Sequence, residues 1–121
     1  MKKILIADDE HKIVMTLEYT FRKSGYEVYI ARDGSEVLEL LKEETPDVIL
    51  LDIMMPHVDG YTTIQEIKKQ EKLNNCKIIF LSAKTNPADI EKGLSLGADA
   101  YITKPYSIKK LIQQVDELIN N

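Results

Sequence analysis

A doubly wound α/β domain on a five-stranded parallel sheet is the fold this sequence predicts, and three observations predict it. Five short apolar runs alternate with five helical patterns along the chain, the arrangement in which helical crossovers join parallel strands and cover both faces of a sheet. The first, third and fourth runs are continuously apolar and rich in Ile, Val and Leu, as strands buried on two sides should be. With 121 residues, 44% of them hydrophobic, the chain can bury one core but not two self-sufficient ones. Residues 1–121 are therefore expected to form one domain, and no repeat, linker or low-complexity segment divides them.

The elements follow in order. Ile4–Ala7 is the first strand. Ile13, Leu17 and Phe21 recur every fourth residue with Val14 beside them, which predicts a helix that stops at Gly25. Tyr26-Glu27-Val28-Tyr29-Ile30 mixes polar with apolar side chains, so its strand, Val28–Ile30, suits an edge. Asp33 with Glu36 makes a capping-box pattern ahead of Val37, Leu38 and Leu41. Val48–Leu51 is the third strand, and a shorter helix after Gly60 should bury Ile64 and Ile67. Ile78–Leu81 is the fourth. Asn86-Pro87 is the N-cap and first position of a helix expected to bury Ile90 and Leu94 and to exit at Gly97. Ala100–Ile102 is the last strand. Ser107 caps a final helix with the buried stripe Leu111, Ile112, Val115, Leu118 and Ile119.

Composition narrows the function. A net charge of -4 and only scattered lysine pairs (Lys2-Lys3, Lys68-Lys69, Lys109-Lys110) argue against direct nucleic-acid binding, which needs a clustered basic face. The single cysteine, Cys76, rules out an internal disulfide and fits a reducing compartment, as a small packed residue. The run Ile4–Ala7 is too short for a signal core, and no segment approaches the ~20 apolar residues of a membrane span. The expectation is a soluble, cytoplasmic domain.

The polar residues fall at the strand ends. Asp8 and Asp9 close the first strand, Asp52 the third and Ser82 the fourth, while Lys104 follows the fifth. A parallel sheet brings all its carboxyl ends to one rim, where open α/β sheets bind ligands. The strand order 2-1-3-4-5, common to flavodoxin-like five-stranded sheets, is adopted for this chain, not deduced from its residues. It makes the first and third strands neighbours, about 4.8 Å apart. Carboxylates ~5 Å apart repel by roughly 3 kcal/mol at an effective dielectric near 20, so three acids on one rim call for cations. Lys104 supplies one charge, and a divalent ion is the natural source of the rest. With oxygen ligands and no Cys or His, a hard ion such as Mg²⁺ fits, with Mn²⁺ the alternative. An Asp carboxylate is already ionised at neutral pH and can attack phosphorus without a general base. Lys104, the cation and the Ser82 hydroxyl would steady the transferring group. An isolated Asp at a strand end is ordinarily a turn former; the set on one rim is what points to chemistry.

These residues resemble the receiver domain of two-component response regulators over essentially the whole chain. Ile4-Leu-Ile-Ala-Asp-Asp-Glu10 resembles the first strand and acidic pair. Asp52-Ile-Met-Met-Pro-His-Val-Asp-Gly60 resembles the phosphoacceptor loop, with Pro56 and Gly60 in its characteristic places. Ser82-Ala83 matches the switch hydroxyl and its small neighbour, and Tyr101-Ile-Thr-Lys-Pro105 the aromatic switch and the lysine-proline pair. The resemblance implies that Asp52 is the phosphoacceptor. It implies that Asp9 and Asp52 ligate Mg²⁺ directly, that Asp8 acts through water and that the Met54 backbone carbonyl contributes. It has Ser82 and Lys104 touching the phosphoryl group, a cis Lys104-Pro105 bond, and Ser82 and Tyr101 moving together to reshape the face of the fourth helix, fifth strand and last helix. The implied partners are a sensor histidine kinase or histidine phosphotransfer protein as donor, and a downstream protein or linked output domain as receiver of the signal. A dimer through the same face is left open. Ser82 stands where Thr is frequent, which implies a looser coupling to Tyr101. Met54 and Lys84, two residues after Asp52 and Ser82, are expected to slow loss of the phosphoryl group. His11, His57 and the Met54-Met55 pair carry no motif of their own and read as surface or loop residues.

Such a domain would not be an enzyme on a separate substrate, since it promotes only its own phosphorylation and dephosphorylation. An aspartate-nucleophile phosphohydrolase is the enzymatic rival, but Met54 stands where such enzymes commonly carry a second Asp. A flavin- or nucleotide-binding module is disfavoured by the acidic, glycine-free turn Asp8-Asp9-Glu10. A constitutive interaction module would have no use for the acidic set.

Overall fold

The computed structural model describes residues 1–120. Strands β1 (Lys3–Ala7), β2 (Glu27–Ala31), β3 (Val48–Asp52), β4 (Lys77–Ser82) and β5 (Ala100–Thr103) form one parallel sheet in the order β2-β1-β3-β4-β5. The adopted strand order is therefore the observed one, and every strand lies within one residue of its expected bounds. Helices α1 (His11–Lys23), α2 (Gly34–Leu40), α3 (Gly60–Lys68), α4 (Pro87–Ser95) and α5 (Ile108–Asn120) alternate with them, and a short 3-10 turn (Glu71–Leu73) precedes β4.

Side chains alternate across a strand, so each strand feeds two cores. Ile4, Ile6, Val48, Leu50, Ile79 and Leu81 pack with Val14, Leu17 and Phe21 of α1 and with Leu111 and Val115 of α5. Leu5, Ala7, Ile49, Leu51 and Phe80 pack with Val37 and Leu41 around α2 and with Ile64 and Ile67 of α3. Burying each such aliphatic side chain contributes roughly 2 kcal/mol. That two-sided burial is why β1, β3 and β4 carry only apolar residues between Lys3 or Lys77 at the start of β1 or β4 and the polar residues at the rim.

The helix ends follow local chemistry. The Asp33 carboxylate accepts the Glu36 amide at 2.9 Å, while the Glu36 carboxylate accepts from Arg32 at 3.0 Å, one residue earlier than a standard box. Asn86 caps α4 by accepting the Ala88 amide at 2.9 Å. Gly25 and Gly97 adopt the left-handed conformation (φ 92° and 109°) that ends α1 and α4.

One expectation fails in α4. Leu94 is 44% exposed and Ile90 only half-buried; the residue turned to the sheet is Gly93. α4 lies over the β4–β5 side of the sheet and seats through a position without a side chain, which leaves Leu94 on its flank. Cys76 is buried beside the core as expected, and burial pushes its thiol up to about 12. Among the described residues no helix is long and apolar enough to cross a membrane.

Candidate functional site

Register carries the acids together. Ala7 pairs with Leu51 across β1 and β3, so the next residues, Asp8 and Asp52, stand side by side. Asp52 pairs with Leu81, and Ser82 with Thr103, which brings Ser82 and Lys104 to the same edge. The Lys104 amide donates to the Ser82 carbonyl at 2.8 Å.

Asp8 and Asp52 are only 2% and 4% exposed. The Lys104 ammonium lies among the acids, 2.8 Å from Asp8 Oδ2, 3.1 Å from Glu10 Oε1 and 3.5 Å from Asp52 Oδ2. Carboxylate oxygens of Asp8, Glu10 and Asp52 all lie within 4.8 Å of one another. Asp9, by contrast, is exposed and lies outside that group. Glu10 was not singled out by sequence reasoning. An acid just past a strand end looks like a helix-start residue, and only the reach of Lys104 distinguishes it.

Burial, the Asp8 charge and the opposing attraction of Lys104 together set Asp52, whose carboxyl is pushed up to about 6. A buried acid beside a second acid is costly to ionise, and one lysine does not fully compensate. For Lys104, burial works against the charged form, but its hydrogen bond to Asp8 and the charges of Asp52 and Asp8 outweigh it and hold the ammonium above its ordinary range. The set is therefore all-oxygen, negative and under-compensated. That donor chemistry fits a hard divalent ion.

The loop from β3 to α3 shapes the other wall. The Met54 amide donates to Asp52 Oδ1 at 3.3 Å, His57 sits at φ 66°, and the Asp59 carboxylate caps α3 through Thr62 at 2.8 Å. Met54 is 60% exposed and lines a depression of about 420 Å³ together with Lys84, Asp59 and Tyr61. On the far side, the Lys84 amide donates to Ser82 Oγ at 3.1 Å, and the Tyr101 hydroxyl donates to the Lys84 carbonyl at 2.8 Å. Burial raises the Tyr101 phenol, and the Ser82 hydroxyl partly draws it back. Ser82 and Tyr101 thus hold the same short loop. The Lys104-Pro105 peptide is cis. His11 and His57 are exposed and take no part. A groove of about 530 Å³ between α1 and the start of α5 opens beside Glu10 and Lys104, with Ile13, Leu17, Pro105 and Tyr106 in its walls.

A five-stranded doubly wound sheet with buried acids and a lysine at its carboxyl edge defines the class, an α/β domain with an acidic, cation-ready site. The chain belongs to the response regulator receiver domain family, whose model matches residues 4–116. It is similar to the receiver domain of the Francisella response regulator 1452, with 37% identity, a TM-score of 0.91 and coverage of 99% of this chain and 98% of that one. The receiver domain of a signal transduction histidine kinase from Syntrophus aciditrophicus is 32% identical, with a TM-score of 0.92 over 99% of this chain and 91% of its own. The receiver domain of sensor histidine kinase PA1611 from Pseudomonas aeruginosa PAO1, whose structure has a magnesium ion coordinated in the active site cleft, is 29% identical, with a TM-score of 0.91 over 99% and 98%. Receiver domains are signalling modules of two-component systems and act with histidine kinases and output domains.

Proposed function

We propose that the chain is a phosphorylation-activated switch in which Asp52 accepts a phosphoryl group from a histidine kinase or phosphotransfer protein. The observation that carries this reading is the buried Asp52 carboxylate at the meeting of Asp8, Glu10 and Lys104. Asp52 and Asp9 as direct ligands, Asp8 through water and the Met54 carbonyl are proposed to hold Mg²⁺, or Mn²⁺. Asp8 and Asp52 already converge, whereas Asp9 stands exposed outside their group. The ion would supply charge neutralisation at the transferring group. Asp52 attacks phosphorus; the new O–P bond forms as the P–N bond of the donor phosphohistidine breaks, and the electron pair stays on the imidazole. Lys104 exchanges its carboxylate partners for a phosphoryl oxygen, and Ser82 Oγ leaves the Lys84 amide to donate to another. That withdrawal frees one of the two bonds on the loop that also holds Tyr101. The population of the α4–β5–α5 face shifts, and an output domain or downstream protein reads it. The groove beside Glu10 and Lys104, walled by Ile13, Leu17, Pro105 and Tyr106, is the surface on which the donor is proposed to dock. The same reading has the domain acting in the cytoplasm, where Cys76 remains a thiol.

The test is incubation with Mg²⁺ and acetyl phosphate, followed by mass spectrometric mapping of the adduct. One phosphoryl group on Asp52 is expected, absent without Mg²⁺ and absent in Asp52→Asn. An equal adduct in that variant would defeat the reading, and sustained turnover of a phosphate ester would favour a hydrolase. Met54 and Lys84 line one depression next to the Asp52 loop and are proposed to screen the attacking water. Met54→Asn and Lys84→Glu should therefore each shorten the phosphoryl lifetime severalfold, measured by loss of label from purified phosphoprotein. An unchanged decay would remove these residues from control of hydrolysis.

A further inference from the structure

The most informative residue outside the site is Gly93. Glycine inside a helix is unfavourable because its backbone loses the most freedom on ordering. Gly93 lies within α4, two residues before its end, and Gly97 already supplies the left-handed stop. Capping therefore does not explain it. Space does. A Cβ at Gly93 would sit 3.0 Å and 3.2 Å from ring carbons of Phe80 and 3.1 Å from Cδ2 of Tyr101. The two rings lie 6.1 Å apart, tilted at 57°, beneath this one bare turn of α4. Phe80 is fully buried in β4 and part of a continuous core, whereas Tyr101 is only half-buried on β5. Given one more methyl group, the ring free to yield is that of Tyr101.

We infer that Gly93 is a positioning residue for Tyr101: by leaving α4 bare, it allows the ring to lie beneath the helix with its hydroxyl on the Lys84 carbonyl. The inference rests on the proposed switch for its signalling consequence, but not for its structural one. Gly93→Ala gains helix propensity while crowding the ring, so the fold is kept and the ring is displaced outward. Loss of the Tyr101 hydroxyl from Lys84 loosens the loop that carries Ser82, and the phosphorylation-ready arrangement becomes rarer.

Incorporating 3-fluorotyrosine, with the Tyr101 resonance assigned by Tyr101→Phe, gives a direct readout through the H₂O/D₂O isotope shift, which grows with solvent exposure. Gly93→Ala should raise that shift for Tyr101, and no other tyrosine should move comparably. Urea unfolding should show little change in midpoint, the gain in helix propensity offsetting the crowding. The rate of Asp52 phosphorylation by acetyl phosphate should fall about fivefold, which corresponds to about 1 kcal/mol taken from the arrangement that holds Ser82. In a Tyr101→Ala background the same Gly93→Ala change should leave the rate unaltered, because the crowded ring is gone. An unmoved Tyr101 resonance overturns the inference, as does an equal rate loss in the Tyr101→Ala background. A wild-type chain that takes no phosphoryl group at all would instead defeat the proposed function and leave the spectroscopic result standing.

Discussion

Asp52→Asn should stabilise the metal-free domain by about 2 kcal/mol at pH 7.5, against the usual cost of altering a buried residue. Burial and the neighbouring Asp8 lift the Asp52 carboxyl from its ordinary 3.8 to about 6. A displacement of that size corresponds to roughly 3 kcal/mol of penalty for carrying the charge in the folded state, and coupling to Asp8 reduces what one substitution recovers. The sign follows from proton binding. Between pH ~4 and ~6 the folded chain holds a proton that the unfolded chain has released, so stability from this group falls as pH rises through that window. Above it the penalty is complete; below pH ~4 both states are protonated and it vanishes. Urea titrations should therefore show the gain of Asp52→Asn at pH 7.5 shrinking toward zero by pH 4. Added Mg²⁺ should stabilise the wild type at neutral pH and leave the Asn variant much less affected. A variant less stable than wild type at pH 7.5 would show that Lys104 already compensates the charge, and a gain that persists at pH 4 would show that it does not come from ionisation of the carboxylate. On the proposed function, such a gain would mean that the site holds its carboxylate reactive at a cost in stability.

How much of this was legible in the sequence depends on what each element presents to its neighbours. β1, β3 and β4 were plain because burial on both faces demands unbroken Ile, Val and Leu. Asp8 and Asp52 were plain because each ends such a run and parallel strands share a rim; their pairing was accessible once the strand order was adopted, and periodicity alone could not supply that order. Asp33 and Asn86 were visible as caps because they bond within three residues of themselves. Glu10 was not, since its partner Lys104 lies 94 residues away and an exposed acid has an ordinary local explanation. Leu94 was misjudged because its spacing from Ile90 fits a helical stripe, whereas the face α4 turns to the sheet is marked by the missing side chain of Gly93. A pattern of apolar residues cannot register a contact made through the absence of one.

The second large effect is expected at Gly60, where the loop after β3 returns to the sheet. A Cβ there would lie 2.5 Å from the Asp52 carbonyl oxygen, 2.8 Å from Ile53 Cα and 3.1 Å from the Asp52 carbonyl carbon. All three are backbone atoms at the end of β3, flanked by β1 and β4, so none can rotate away as a side chain would. The Gly60 amide also donates to the Ile53 carbonyl at 2.9 Å, which ties the first turn of α3 to the strand at this contact. Gly60→Ala should therefore cost about 3 kcal/mol or more, at the upper end of overpacking effects. Gly25→Ala provides the comparison. Its Cβ would meet nothing within 4 Å, and only its φ of 92° opposes the change, so a loss nearer ~1 kcal/mol is expected. The two costs differ in kind as well as size. Relief of the clash at Gly60 is expected to displace the Asp52 backbone it abuts, so the still-folded variant at low temperature should also phosphorylate far more slowly than Gly25→Ala at equal folded fraction. A Gly60→Ala midpoint no lower than that of Gly25→Ala would mean that α3 can shift outward as a unit. The close approach of helix and strand would then be packing alone, with no part in holding Asp52 on the rim.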